Sequence, residues 1–363
     1  MRVDEALFKP EELAALRLRS LYRRYGYAPF KMGKFEEYDL YGRNKDFLVS
    51  DGVITFTDTT GKLMALKPDV TLSIVNGYRP HAGAERVFYN ENVYRVSDAT
   101  HRYKEILQTG LECLGELTPY HIGEVLTLAA ESLSSIAEGC VLCVSHLGIA
   151  EALLDGAPTE ARREIVRTLS EKNAHGLAAA CEGAVSEDVR DILIYMTEAF
   201  GDAQTALPPL RAMTDSPAVH AALDELSAAV AQASGRGCRV AVDLSLGGDM
   251  RYYNGLVFCG YIRDIPTPVL SGGQYDRLLA RMHKAARAIG FAVYLDRLET
   301  LGSDAPLDVD VLLLYGRADG AAEVGARVAE LQAEGLRVLA DTEAPQGLRF
   351  GRIEYLKEDG RRA

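Results

Sequence analysis

The chain has 363 residues, 48% of them hydrophobic and 25% charged, which is typical of a globular protein with more than one domain. No apolar run reaches the roughly 18–20 residues of a membrane helix and the N-terminus lacks a secretory signal pattern, so we expect a cytoplasmic protein without a membrane partner. The formal net charge of −12 weighs against a tRNA-binding role, because phosphate binding requires a basic surface.

Hydrophobic periodicity predicts helices and strands in the first part of the chain. Apolar residues at helical spacing indicate helices, and short alternating runs bounded by turn residues indicate strands. In chain order we predict a helix at 10–26, a β-hairpin at 52–57 and 63–66, a strand pair at 86–95 and 105–114, a helix at 121–137 and a strand at 140–145.

The composition changes after residue 146. Alanine, leucine and glutamate dominate residues 147–232 with helical periodicity throughout, which predicts an inserted helical subdomain over about 147–235. The predicted elements after it are strands at 239–244, 255–262 and 267–270, a helix at 274–282 and a strand at 289–295. This order predicts an α+β fold in which helices flank one large, mostly antiparallel sheet.

A Gly-Ser-Asp-Ala-Pro linker at residues 302–306 precedes a short tail. The tail has strand patterns at 310–315 and 336–340 around a helical pattern at 321–334, which is the start of a βαβ unit. We therefore predict a core domain at 1–300 and a small α/β domain at 307–363.

Two cysteines have the spacing of a metal or redox pair. Cys140 and Cys143 lie in an apolar run with no second pair nearby, so we interpret them as buried strand cysteines. We expect neither a metal nor another cofactor.

Three short segments carry side chains suited to binding an amino acid. Residues 66–71 read Leu-Lys-Pro-Asp-Val-Thr, residues 108–112 read Gln-Thr-Gly-Leu-Glu, and residues 252–254 read Tyr-Tyr-Asn. Carboxylate and amide oxygens accept hydrogen bonds from an ammonium group. Each residue also has a structural alternative, since Asp69 and Thr71 suit a helix start, Glu112 a solvated strand position and the tyrosines an ordinary strand.

Together these segments resemble histidyl-tRNA synthetase and its non-synthetase paralogue, the regulatory subunit of ATP phosphoribosyltransferase. The similarity covers roughly residues 20–300, with residues 93–115 and 290–298 similar to the second and third motifs of the family. It implies a class II aminoacyl-tRNA synthetase-like core and a tail that resembles a truncated anticodon-binding domain.

The resemblance also implies a histidine-binding site. It implies that three residues bind the amino group of histidine and that two more bind the two ring nitrogens. The other tyrosine of the pair belongs to the same site. These residues are Asp69, Thr71 and Gln108 for the amino group, Glu112 and Tyr253 for the ring, and Tyr252.

The chain departs from the synthetases where they activate histidine. Gly248 and Gln274 stand where synthetases carry arginines, and Tyr294 replaces a glycine at a place where a tyrosine could intrude on the adenine. Three arginines remain at positions that bind ATP in the synthetases, either as residual nucleotide ligands or as salt-bridge partners within the scaffold. They are Arg95, Arg102 and Arg297.

Retained recognition with altered activation residues predicts a non-catalytic regulatory subunit rather than an enzyme. The resemblance implies binding to the short-form catalytic subunit of ATP phosphoribosyltransferase, as homodimers within a hetero-octamer, and sensing of L-histidine for feedback on histidine biosynthesis. The alternatives are an active histidyl-tRNA synthetase and a different pseudo-synthetase, either a ligase that modifies another protein or a sensor with another target.

Overall fold

The computed structural model of the chain describes residues 8–45, 52–96, 101–247, 252–301 and 307–357. It divides into two compact units, Met1–Leu301 and Gly302–Ala363. No helix within the described ranges combines the length and apolar character needed to cross a bilayer.

The first unit is built on a nine-stranded, mostly antiparallel sheet. Among its described pairings only two are parallel, that of Ala28–Pro29 with Ala84–Val96 and that of Val141–His146 with Arg239–Asp243. Across the sheet the strands are β1 (Ala28–Pro29), β5 (Ala84–Val96), β6 (Tyr103–Gly115), β12 (Arg287–Tyr294), β11 (Leu270–Gln274), β10 (Leu256–Tyr261), β7 (Val141–His146), β9 (Arg239–Asp243) and β8 (Phe200–Gly201).

A smaller antiparallel sheet contains the predicted hairpin. Strand β3 (Thr55–Thr57) pairs with β4 (Leu63–Leu66), and β2 (Phe35–Glu37) adds to the other edge of β4. Asp58 closes the turn, because its carboxylate accepts the backbone N–H groups of Thr60 and Lys62 at 2.8 Å each. The hairpin prediction is confirmed.

Helices cover one face of the large sheet. The first helix, α1 (Pro10–Arg24), contacts β5 and β6, and α4 (Pro119–Ile136) contacts β12, β10 and β7. Three shorter helices of the unit are α2 (Tyr38–Arg43), α3 (Thr71–Gly77) and α11 (Asp276–Arg281). Pro119 is the first residue of α4, where its missing N–H breaks no hydrogen bond within the helix.

The helical insertion lies between β7 and β9, which pair directly with each other. Side-chain oxygens of Ser186 and Ser216 cap the fourth and sixth of its helices. The insertion consists of α5 (Leu147–Leu153), α6 (Thr159–Ser170), α7 (Ala174–Cys181), α8 (Glu187–Glu198), α9 (Ala203–Ala212) and α10 (Pro217–Ala233).

Alternation along the strands separates a packed face of the sheet from a polar face. Successive side chains of a strand point to opposite faces. Phe88, Leu111, Phe258 and Phe291 are buried against the helices, and the rings of Phe258 and Phe291 lie 6.2 Å apart. The opposite face therefore presents Glu112 and its neighbours two residues away.

The predicted strand at 267–270 is misplaced. We placed a strand at 267–270 and a helix from residue 274, whereas strand β11 runs from Leu270 to Gln274 and α11 begins at Asp276. Gly272 and Gly273 resemble a turn in sequence. In the structure they belong to a strand, and a larger residue would not fit, because a Cβ on Gly273 would lie 2.7 Å from the ring of Tyr253.

The second unit contains a parallel three-stranded sheet. Strand β13 (Val309–Leu314) lies between β14 (Val338–Asp341) and β15 (Phe350–Tyr355), with α12 (Ala321–Ala333) connecting β13 to β14. The βαβ prediction is confirmed, and β15 was not predicted. Phe350 lies on the same face of β15 as Arg352 and Glu354, so apolar and polar residues mix on that face and the strand pattern is weak.

Candidate functional site

The polar face of the large sheet contains a cavity of about 290 Å³. This volume is at the small end of the roughly 300–1,000 Å³ found for drug-sized ligands, and suits a molecule the size of an amino acid. The described residues that line it are Asp69, Thr71, Tyr89, Arg95, Gln108, Glu112, Tyr252, Tyr253, Ser271, Tyr275, Gly290, Phe291, Ala292 and Tyr294.

All six residues predicted to bind histidine lie on this one cavity. Gln108 and Glu112 reach it from the polar face of β6, and Thr71 from the first turn of α3. Tyr252 and Tyr253 reach it from the segment ahead of β10. Glu112 and Tyr253, 141 positions apart in sequence, thus meet because β6 and β10 belong to one sheet.

Glu112 is the most deeply buried acid of the cavity, with 2% of its surface exposed. Its Oε1 accepts a hydrogen bond from Thr71 Oγ1 at 2.7 Å, and its Oε2 accepts one from the Tyr275 hydroxyl at 2.5 Å. Burial raises the pKa of Glu112 to about 8, although these two hydrogen bonds act in the opposite direction. Glu112 therefore holds a proton at neutral pH and can exchange it with a bound group.

Gly290 leaves room for the Glu112 carboxyl. The two residues are directly opposite each other on β12 and β6. A Cβ at position 290 would collide with the carboxylate, so only glycine fits beside it.

Asp69 combines a structural role with its place in the cavity. Its Oδ1 accepts the backbone N–H of Leu72 at 2.8 Å, which is the helix-start role that its sequence also suggested. Burial raises the pKa of Asp69, and the positive charge of Arg95 opposes that shift. Arg95 is held in turn by a 3.0 Å hydrogen bond from its Nε to the Pro68 carbonyl.

Aromatic side chains form the wall beside Glu112. The rings of Tyr252 and Tyr253 are 4.7 Å apart in an edge-to-face arrangement, and Tyr275 lies 5.7 Å from Tyr252. Withdrawal from water raises the pKa of all three hydroxyls, so they remain protonated hydrogen-bond donors.

Asn254 anchors the tyrosine pair. Its backbone N–H donates to the Gln274 carbonyl at 3.0 Å, and its side-chain nitrogen donates to Asp276 at 3.3 Å. Its side-chain oxygen accepts the backbone N–H of Arg277 at 3.3 Å. The chain just after Tyr253 is therefore fixed to the start of α11.

The three arginines predicted as vestigial nucleotide ligands are in different situations. Arg95 lines the cavity, whereas the exposed Arg102 is not among the described lining residues. Arg297 stacks on the ring of Tyr294, with its guanidinium carbon 4.2 Å from the ring centroid, and donates to the Pro268 carbonyl. The structure thus does not bring the three arginines together in the cavity.

The two positions where synthetases carry arginines, Gly248 and Gln274, have different outcomes. Gly248 lies outside the described residues. Gln274 is 1% exposed and lies on the packed face of β11, where its Oε1 accepts the backbone N–H of Leu256 at 2.5 Å and its Nε2 donates to Glu225 at 3.1 Å. Alternation turns Gln274 away from the cavity, so the replacement of an arginine at this position changes the packed face of the sheet and not the described cavity lining.

Sequence reasoning missed several lining residues. Tyr275 is the most important, because it bonds directly to Glu112. Extending the strand through the glycines would have placed Ser271, Gly273 and Tyr275 on one face. Strand alternation also places Tyr89 on the polar face of β5. Tyr89 is opposite Gly110, and Val87, two residues earlier, is opposite Glu112.

The fold and the cavity define a class II aminoacyl-tRNA synthetase-like core. The family model described as histidyl-tRNA synthetase matches residues 3–298. The ATP phosphoribosyltransferase regulatory subunit of Anaeromyxobacter dehalogenans is 34% identical over 77% of this chain and 83% of its own. The chain therefore belongs to the family of ATP phosphoribosyltransferase regulatory subunits, within the histidyl-tRNA synthetase-like proteins.

Solved structures share the fold. A protein of Bacillus halodurans C, described as an ATP phosphoribosyltransferase regulatory subunit/histidyl-tRNA synthetase, matches with a TM-score of 0.73 and 23% identity over 95% of this chain and 93% of its own. A chain from the ATP phosphoribosyl transferase (HisG:HisZ) complex of Thermotoga maritima matches with a TM-score of 0.63 and 20% identity, over 78% of this chain and 97% of its own. At these identities the likeness concerns the fold.

Proposed function

We propose that this chain is a non-catalytic regulatory subunit of ATP phosphoribosyltransferase whose cavity binds free L-histidine. It acts with the short-form catalytic subunit in the first step of histidine biosynthesis. The observation that carries the proposal is the cavity itself: an amino-acid-sized space in which Asp69, Gln108 and Glu112 converge, in a chain of this family.

The chemistry of the cavity suits both ends of histidine. Asp69 and the Gln108 amide oxygen can accept from the ammonium group, and the Thr71 hydroxyl keeps an acceptor lone pair while it donates to Glu112. An imidazole titrates near pH 6.5 and has two distinct nitrogens. Glu112, with its pKa near 8, and the Tyr253 hydroxyl offer it a proton-exchanging partner and a donor.

Feedback follows if histidine binds one state of the assembled enzyme more tightly than another, because only differential affinity shifts an equilibrium. We propose homodimers of this chain within a hetero-octamer that includes the catalytic subunit, in the cytoplasm. The likeness to a chain of the Thermotoga maritima complex supports a partnership of this kind. The proposal includes no role in charging tRNA.

Reconstitution tests the assignment as a subunit. The purified chain is added to the short catalytic subunit from the same organism, and phosphoribosyl-ATP formation is measured with and without histidine. We expect activity to need both chains and histidine to lower it. Histidine-dependent exchange between ATP and pyrophosphate by this chain alone would instead identify an active synthetase.

Calorimetric titration with histidine tests the cavity. We expect Glu112→Gln and Asp69→Asn each to weaken binding at least tenfold, because each removes a group that pairs with a charged or proton-donating part of the ligand. Asp155→Asn, an acid-to-amide change at an exposed position after α5, is the matched control. Unchanged affinity in both cavity variants would place the histidine site elsewhere.

A further inference from the structure

Two buried cysteines lie side by side at the starts of neighbouring strands. Cys140 immediately precedes β7, and Cys238 immediately precedes β9. The two strands are parallel and Val141 is paired with Arg239, so the same register places Cys140 beside Cys238. The Arg239 N–H donates to the Cys140 carbonyl at 3.2 Å, which continues the ladder to this position. The two cysteines are 98 positions apart in sequence, and the sheet brings them together.

The side chains of the two cysteines lie on the same face of the sheet. Both belong to the packed face, where 4% of Cys140 and 5% of Cys238 is exposed. Cys140 Sγ lies 3.9 Å from the Gly237 carbonyl oxygen, which places this sulfur against the neighbouring strand. Adjacent strands are about 4.8 Å apart, within the roughly 4.4–6.8 Å that separates the Cα atoms of a disulfide. A disulfide between them therefore needs no large movement of the backbone.

The contact between the two thiols makes them chemically unequal. A hydrogen bond from Cys238 lowers the pKa of the Cys140 thiol. The same contact, together with burial, raises the pKa of the Cys238 thiol. Because the thiolate is the nucleophile, Cys140 is the group that reacts first with an oxidant, and Cys238 is the neighbouring thiol that can resolve the product.

The start of β9 has a single neighbour in the sheet. Strand β8 pairs only with Val242 and Asp243 at the other end of β9, so among the described strands β7 alone pairs with its first residues. The turns before β7 and β9 are exposed, and each contains a glycine with positive φ, Gly139 at 71° and Gly237 at 80°. Local opening at such a strand end gives a small oxidant access to the two sulfurs.

We propose that Cys140 and Cys238 form a redox-sensitive modification site, in which a peroxide converts the two thiols into a disulfide that ties β7 to β9. The Cys140 thiolate attacks one peroxide oxygen and becomes a sulfenic acid as hydroxide leaves. Cys238 then attacks that sulfur, the S–S bond forms and water leaves. One hydrogen peroxide is thus reduced to two waters while two thiols lose two electrons and two protons. The disulfide closes a covalent loop around the whole helical insertion, and this site is independent of the histidine cavity.

Peptide mapping by mass spectrometry under non-reducing conditions tests the proposal. The reduced full chain is treated with hydrogen peroxide, and the remaining thiols are blocked. A matched control pair is present in the same chain. Cys143 and Cys259 are directly opposite each other on β7 and β10, but burial raises the pKa of each to about 11. We expect the Cys140–Cys238 disulfide to form at least tenfold faster than a Cys143–Cys259 disulfide, and dithiothreitol to reverse it.

Variants separate a specific site from general oxidation. Cys238→Ser should leave Cys140 as a sulfenic acid that dimedone labels, whereas Cys143→Ala should still form the disulfide. The oxidised unmodified chain should unfold at a higher urea concentration than the reduced chain, because the crosslink restricts the unfolded state, and Cys140→Ala should show no such shift. A folded unmodified chain in which peroxide leaves both thiols free, joins other cysteines, or oxidises Cys140 to a sulfinic acid without a crosslink overturns the proposal.

Discussion

Replacing Glu112 by glutamine should change how the stability of the protein depends on pH. The ordinary pKa of a glutamate is 4.5, and burial raises that of Glu112 to about 8 in the folded protein. Between these two values the native state holds a proton that the unfolded chain has lost. The free energy of unfolding must therefore fall as pH rises through this window, by about 1.4 kcal/mol per pH unit from this group.

Glutamine cannot ionise, so Glu112→Gln removes that dependence. The variant loses an acceptor for Thr71 or Tyr275, a pH-independent cost of about 1–3 kcal/mol. The pH dependence of the free energy of unfolding therefore tests the protonation of Glu112, and the pH-independent difference between the two proteins does not. From about pH 5.5 to about pH 7.5, the stability of the variant relative to the unmodified chain should rise by about 3 kcal/mol.

Urea denaturation without histidine, at several pH values across the window, measures the difference. Glu138→Gln, which removes one negative charge at an exposed position after α4, controls for net charge. A difference between Glu112→Gln and the unmodified chain that stays constant with pH would refute the claim that Glu112 is protonated in the folded protein.

Three further changes test neighbouring features. Tyr275→Phe removes a hydrogen bond that favours the ionised Glu112, so the fall in stability should continue to higher pH in the same denaturation assay. Gly290→Ala places a methyl group against the Glu112 carboxyl and should cost about 1–3 kcal/mol of stability and most of the histidine affinity in calorimetry. Gln274→Met leaves the buried N–H of Leu256 without its acceptor and should cost about 1–3 kcal/mol in urea denaturation while histidine affinity changes less than threefold. A loss of affinity in Gln274→Met comparable to that of Gly290→Ala would show that Gln274 contributes to ligand binding.

The long strands and helices were predictable because their apolar periodicity is sustained. Strands β5 and β6 extend over 13 residues each and α4 over 18, which is long enough for a pattern to stand out from chance. Short elements such as β2 and α3 carry no comparable signal, because three to seven residues complete too few periods to separate a pattern from chance. Their form is set by what they pack against.

The lining of the cavity was predictable in part, and its geometry was less so. Resemblance identified Glu112 and Thr71 as members, yet nothing in the sequence indicated that they bond to each other or that Tyr275 completes the cluster. The face of the sheet on which Gln274 lies could be predicted only by recognising β11 as a strand. Glycine-rich strands escape detection because their glycines reflect crowding by other elements, which only the tertiary structure shows.

The energetic cost of Glu112 bears on its role. Keeping this carboxyl protonated in the fold at neutral pH costs about 3 kcal/mol, a large fraction of the roughly 5–15 kcal/mol that stabilises a typical domain. Its two partners in the fold, Thr71 and Tyr275, need only an acceptor and would be served by a group that does not ionise. A carboxyl group beside a cavity with a pKa near 8 instead matches a ligand that gives or takes a proton near neutral pH, and imidazole is the amino-acid side chain with that property. Stability alone would not place this acid here, whereas the proposed histidine binding would account for both its burial and its raised pKa.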